Sequence, residues 1–193
     1  MRKVWKNMRK SKKISGFTLV EVLVAVAITS IFAGVITGVF ISARNAFISN
    51  SAALEVHGAN RLAMDWIVRD IKWANQTVPS VTISGTTYTT GINRLVLSVP
   101  GIDASGDIIE GVFDAVVYAL NGTDLIRVVS PNAVSGSGSN RLASNYTIAN
   151  NVNMLQFALN ADNIGITVNT RRTVLNSRVL SDTLTTAVSF RNE

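Results

Sequence analysis

The sequence predicts an α+β protein: a long, protruding N-terminal helix, membrane-spanning in its first half, packed on an antiparallel β-sheet head domain. Three observations predict it. Residues 17–41 form an apolar run broken by one charge, Glu21. Helical spacing of apolar residues continues beyond that run, and no proline occurs before Pro79. After Pro79 the texture changes to short β-branched stretches separated by Asn, Gly and Ser.

The helix comes first. About 20 apolar residues cross a bilayer, and 25 residues at ~1.5 Å each cover roughly 37 Å, so 17–41 is long enough to span. Ala59, Leu62, Ala63, Trp66, Ile67, Ile71 and Ala74 then recur at spacings of three and four, the stripe of an amphipathic helix. Arg61–Asp65 and Asp65–Arg69 are opposite charges four apart, placed to pair on its surface. One helix is expected over about 17–75. It would be close to ~90 Å long, too long to lie within a head of this size. The division is a basic leader over 1–16, a transmembrane helix over 17–41, its amphipathic continuation over 42–75 and a β-rich head over 76–193.

In the head, strands are expected at Val78–Ile83 and Arg94–Val99. Val112–Leu120 and Asp124–Ser130 flank Asn121-Gly122, a strong hairpin signal. Met154–Leu159 and Ile164–Asn169 flank Asn160–Asn163 as a second hairpin, and a last strand fits Thr183–Phe190. Ser135–Asn140, alternating Ser and Gly, reads as a flexible loop. Trp66 and Trp73 are expected where the helix meets the sheet. There is no internal repeat.

The formal charge of +6 resembles a nucleic-acid binder, but its distribution disfavours a basic fold that tracks phosphates. Arg2, Lys3, Lys6, Arg9, Lys10, Lys12 and Lys13 place seven positive charges in residues 1–16, with no acid. The rest of the chain holds 11 Lys and Arg against 12 Asp and Glu. No nucleic acid is therefore expected as a partner. Basic residues precede the apolar run and only Arg44 follows closely, so the N-terminus is expected in the cytoplasm and the head outside, as a single-pass membrane protein. Without cysteine, disulfides and thiol chemistry are excluded.

Glu21 distinguishes the readings of the run. A cleaved secretory signal needs a short apolar region and a small-residue site such as Ala25-Val26-Ala27, and Glu21 interrupts that region. A plain signal-anchor leaves Glu21 near the interface. A buried core helix would not be so long and uniformly apolar. Gly16-Phe17-Thr18-Leu19-Val20-Glu21, after a basic leader and before a long apolar run, resembles the processing site of type IV prepilins and type II secretion pseudopilins. The resemblance covers about Lys12–Ile41. It implies cleavage between Gly16 and Phe17 by a prepilin peptidase, N-methylation of Phe17, and Glu21 as the fifth residue of the mature chain, acting in assembly. It also implies other pilin or pseudopilin subunits and an inner-membrane assembly platform as partners beside the lipid bilayer, with a pilus or pseudopilus as destination. Met64–Ala74, the Tyr118–Arg127 hairpin and the ending Ala187–Asn192 resemble, more diffusely, minor pilins and J-type pseudopilins found near filament tips. Many major pilins carry a proline in their first helix, whereas 17–50 has none.

The residues give this resemblance a physical basis. Gly16 has no side chain, so a peptidase can approach the bond closely. Cleavage leaves an amine on Phe17. A carboxylate in hydrocarbon needs compensation, and the Phe17 amine of a neighbouring subunit would supply it across a poorly screened gap and fix the axial stagger of adjacent helices. Gly34 and Gly38 form a GxxxG spacing that lets helices approach closely.

Other candidates read more simply. His57, the single histidine, is expected to be a solvated helix residue. Asp103–Glu110 has acidic residues with some calcium-loop character, but Ile108 stands where an EF-hand loop needs its sixth-position glycine. Arg171-Arg172 is a small solvated basic spot. No catalytic residues, metal site or cofactor are expected, so the chain is read as a structural subunit, the alternative being a signal-anchored, adhesin-like surface protein that joins no filament. Glu21→Val separates a register role from snorkelling toward the interface. With the first, the variant inserts in the membrane but is lost from sheared filaments on immunoblots; with the second, incorporation is unchanged.

Overall fold

The computed structural model describes residues 16–160 and 163–190. The expected leader, apart from Gly16, lies outside the described residues. The chain divides into two compact units, one ending at Ala46 and one beginning at Phe47.

The first element is α1, Leu19–Trp73. Within the first unit every described residue is solvent-exposed, including fifteen large apolar side chains between Phe17 and Ile41. This part is long and apolar enough to cross a membrane. From Phe47 onward the helix belongs to the second unit, where Ala52, Val56, Ala63, Met64, Ile67 and Ile71 are buried. The helix ends where the Ala74 amide bonds the Ile71 carbonyl and the Asn75 amide passes to the Ser98 carbonyl of a strand, which diverts the chain before Pro79.

Among the described residues ten strands follow: β1 Gln76–Thr77, β2 Ser80–Ile83, β3 Thr86–Thr89, β4 Arg94–Ile102, β5 Ile108–Asn121, β6 Asp124–Ser135, β7 Ser144–Ala149, β8 Val152–Leu159, β9 Ile164–Thr173 and β10 Val179–Val188. A short 3-10 turn, Leu175–Ser177, joins the last two. All pairings are antiparallel, in sheets ordered β1-β4-β5-β6-β7, β10-β9-β8 and β2-β3. The buried stripe of α1 packs against both larger sheets in one core that includes Leu95, Leu97, Tyr118, Leu125, Leu155 and Ile166. The opposite face of the five-stranded sheet is covered by the β2–β3 hairpin through Val81, Ile83 and Tyr88. The middle of β4 is thus buried on both faces, so Leu95–Val99 reads as a continuous run rather than an alternation.

The α+β class and the long helix are as expected, with several local differences. Val78-Pro79 joins β1 to β2 because proline cannot donate to a ladder. The first hairpin turns one residue later than expected. Asn121 pairs with Asp124, so the two-residue loop is Gly122-Thr123, with Gly122 at φ +63° supplying the positive angle. The last strand runs 179–188 rather than 183–190, and the Thr-rich β3 and the β7 strand were not anticipated. The Ser-Gly loop is pinned rather than free. Ser139 donates to Asp114 and accepts from the Ile102 amide, and a Cβ on Gly136 would lie 2.7 Å from the Gly111 carbonyl oxygen. Leu62 and Trp73 fall off the buried stripe, at 48 % and 59 % exposure, whereas Trp66 is half-buried as expected. Arg69 turns to the Trp66 ring, 3.8 Å away, instead of to Asp65.

This burial pattern makes a quantitative prediction. Ile67→Ala is expected to destabilise the head by about 2–5 kcal/mol, and exposed Leu62→Ala by no more than about 0.5 kcal/mol. Denaturant unfolding of the full chain in detergent, followed by tryptophan fluorescence, measures both.

Candidate functional site

The sequence-derived site residues lie at the start of α1. Gly16, Phe17 and Thr18 precede the helix in non-helical conformation, and a Cβ on Gly16 would meet nothing within 4 Å, so the Gly16–Phe17 bond is open to approach. Thr18 caps the helix. Its Oγ1 accepts from the Glu21 amide at 3.2 Å, while Glu21 Oε2 accepts from the Thr18 amide at 2.8 Å and from the Thr18 hydroxyl at 3.0 Å. This reciprocal capping box satisfies amides that a helix start leaves bare. Glu21 is thus not an isolated acid; it is tied through one oxygen to its own helix terminus.

Thr18 is a capping residue that the sequence reading missed. The signal was present as Thr-x-x-Glu before an apolar run, but Glu21 had been considered as a charge and not as half of a cap. Further along, the Thr29, Ser30 and Thr37 hydroxyls donate to the carbonyls of Ala25, Val26 and Ala33 at 2.7–2.8 Å. Each polar group is thereby satisfied within the helix, as hydrocarbon requires. The small side chains Ala25, Thr29, Ser30 and Ala33 leave a shallow apolar channel starting at Phe17 and Glu21. Gly34 and Gly38 leave open helix surface one turn apart, and the structure brings no side chain onto them.

The head holds two charge clusters that sequence reasoning also missed. Asp70 on α1 accepts from the Tyr118 hydroxyl of β5 and from Arg127 Nε of β6, both at 2.6 Å, and Arg127 donates to the Tyr146 hydroxyl of β7 at 2.9 Å. Four elements meet at this node, with Trp66 edge-on to Tyr146. Burial, reinforced by the neighbouring Asp70, pushes the Tyr118 hydroxyl well above its usual range. For Arg127 burial opposes the charge, but the Asp70 hydrogen bond and charge outweigh it and the pKa is raised. In the second cluster the fully buried Asp114 accepts from the Asn132 amide, the Ser139 hydroxyl and Arg141 Nε. Side chains so far apart in sequence give no local pattern that could have revealed either cluster.

The remaining candidates are structural. His57 is paired rather than merely solvated: its Nδ1 lies 3.0 Å from Asp182 Oδ2, which also accepts from Asn60. Burial works against the Asp182 charge, but the hydrogen bonds from Asn60 and His57 outweigh it and hold the carboxyl below its ordinary 3.8. Asp103 Oδ1 accepts from the Ser105 and Asp107 amides and closes its own turn. Among the described residues no three His, Cys, Asp or Glu side chains gather as metal ligands. Arg172 is ion-paired with Glu55.

Residues 11–37 match the family model of the prokaryotic N-terminal methylation motif, the leader of type IV pilins and pseudopilins. The match is confined to this N-terminal motif and does not extend into the head. No curated protein and no solved structure matches the chain.

Two predictions follow from the head. Asp70→Asn leaves Arg127 buried without its counter-charge and should cost about 3–5 kcal/mol, while Asp70→Leu with Arg127→Met recovers most of that loss; chemical denaturation of the full chain reads both. Because the Asp182 pKa is depressed on folding, its contribution is fully present above about pH 3.8 and is lost as pH falls through the lower folded value. Asp182→Asn should therefore flatten the acid limb of the pH–stability curve, which denaturant titrations at a series of pH values measure.

Proposed function

We propose that the chain is a structural subunit of a type IV pilus or type II secretion pseudopilus, in a minor, filament-initiating role. The observation that carries this reading is the conjunction, over residues 16–41, of the methylation motif with a helix whose apolar side chains are exposed on every side. Such a helix needs cover from outside its own fold. In this reading lipid supplies it during storage, with the N-terminus cytoplasmic and the head outside, and neighbouring helices supply it after assembly.

Processing cleaves Gly16–Phe17, removes the basic leader over 1–16 and methylates the Phe17 amine. Methylation keeps the amine's positive charge. One Glu21 oxygen holds the helix cap, and the other accepts the Phe17 amine of a neighbouring subunit, so that the charge is neutralised only at one axial stagger. Gly34 and Gly38 give neighbouring helices a place of close approach. The partners are the prepilin peptidase, other pilin or pseudopilin subunits, the inner-membrane assembly platform and lipid. The minor role rests on the Met64–Ala74 and Tyr118–Arg127 resemblances and on the proline-free first half of the helix.

Intact-mass measurement of the membrane-extracted protein tests this directly. The expected product begins at Phe17 and carries one added methyl group. A full-length chain, absent from sheared surface filaments, would instead identify a signal-anchored surface protein.

A further inference from the structure

The β2–β3 hairpin is attached to the head unlike any other pair of strands. Among the described residues it pairs only with itself, and no hydrogen bond joins residues 80–89 to another element. Its contact with the five-stranded sheet rests on Val81, Ile83 and Tyr88, while Thr82, Thr86, Thr87 and Thr89 are exposed. An isolated two-stranded hairpin is marginally stable at best, so this one depends on that contact. Its neck, by contrast, is closed. The Thr90 amide donates to the Pro79 carbonyl at 2.9 Å, and the Thr90 hydroxyl donates to the Val78 carbonyl and accepts from the Val96 amide. Residues 80–89 therefore hang from Pro79 and Thr90, which are tied to each other and, through Thr90, to β4.

The face of β4 that the hairpin covers carries two polar groups without partners. Three buried side-chain atoms lack a hydrogen-bond partner among the described residues, and two of them are Arg94 Nε and Ser98 Oγ. Both residues lie two positions from Val96, on the same face of the strand. The Arg94 guanidinium carbon is 5.5 Å from the centre of the Tyr88 ring, and Ser98 stands opposite Ala115. A polar group buried without a partner is destabilising, whereas the same group in water is satisfied. Closing the hairpin therefore gains apolar contact and leaves Arg94 and Ser98 wanting; opening it reverses both. Closure is also incomplete at the tip, where Ile83, Tyr88, Val128 and Asn145 line a groove between the hairpin and β6–β7.

We propose that the β2–β3 hairpin is a flap that pivots about Pro79 and Thr90, opening as a unit while the helix-side core stays shut. Opening uncovers Val96, Ala115, Val117 and Val128, a strip across the three central strands, and hydrates Arg94 and Ser98. The two apolar clusters lie on opposite faces of the sheet, so one can be released without the other. A segment held by few apolar contacts opens at a free energy well below that of global unfolding. Leader processing plays no part in this motion.

The chain has no cysteine, so a single introduced thiol reports each face. Ala115 lies under the flap and Ala63 in the helix-side core, and both are fully buried. In full-length protein in detergent, without denaturant, an Ala115→Cys thiol should react with dithionitrobenzoate at least about 100-fold faster than an Ala63→Cys thiol, because it waits on local opening only. Adding Val81→Ala should speed the Ala115→Cys reaction about tenfold by removing flap contact. Adding Ser98→Ala should slow it about tenfold by removing a group that only opening satisfies. Equal rates for the two thiols, or an Ala115→Cys rate indifferent to both added changes, overturn the flap. Hydrogen exchange on the unsubstituted chain asks the same question without a new side chain. The amides of residues 81–89 should exchange together, about tenfold or more ahead of the β4–β5 ladder. Exchange in step with that ladder would equally rule the flap out.

Discussion

Fifteen large apolar side chains, Phe17 and fourteen on the helix that follows it, are all exposed and are the constraint to which the rest of the molecule answers. Leaving a Val, Leu, Ile or Phe side chain in water rather than burying it costs about 1.5–3 kcal/mol. Over this run the total exceeds the ~5–15 kcal/mol by which a whole domain is normally stable. The segment must be covered by something other than its own fold. Its polar groups are arranged accordingly: three hydroxyls return to carbonyls one turn back, and Thr18 with Glu21 closes the helix start. A capped, internally satisfied apolar rod suits either lipid or a bundle of similar rods, and passage from one to the other needs no change in its own hydrogen bonds.

The second half of α1 meets a different requirement, because it must be held firmly by its head. Ala63, Ile67 and Ile71 are fully buried against two sheets, which fixes the face that the helix presents. Apolar packing tolerates some sliding, whereas the Asp70 node does not. A carboxylate bonded at 2.6 Å to both Tyr118 and Arg127 would be left buried and unpaired by a small axial slip. The node therefore sets the helix's register on the sheet. The Asp114 cluster does comparable work for the Ser-Gly loop, tying it to both β4 and β6.

The fold was largely legible because its signals are local. The apolar run, the three-and-four spacing and the β-branched stretches each lie within a few residues, and the class, the long helix and both hairpins follow from them. Periodicity was less reliable at the margins of the buried stripe. Leu62 and Trp73 have suitable spacing, but only the shape of the facing sheets determines how wide the stripe is. Strand β7 was missed because Ser144–Ala149 is mostly polar and owes its place to pairing with β6. Of the site, Gly16, Phe17 and Glu21 could be picked out, while Thr18 could not until Glu21 was seen as a helix cap. The Asp70 and Asp114 clusters assemble residues tens of positions apart and become visible only in three dimensions.

The central claim is that neighbouring helices replace lipid around this rod and that the second oxygen of Glu21 meets the Phe17 amine of another subunit as they do. Zero-length coupling reads that encounter. Sheared filaments containing a mixture of isotopically heavy and light subunits can be treated with a membrane-permeant carbodiimide and analysed by peptide mass spectrometry. The account predicts an amide between the Glu21 side chain and a Phe17 nitrogen, with mixed heavy–light or cross-species pairs proving that it joins two chains. Intact filaments in which Glu21 couples to no neighbour, its carboxylate engaged by its own Thr18 alone, would contradict it.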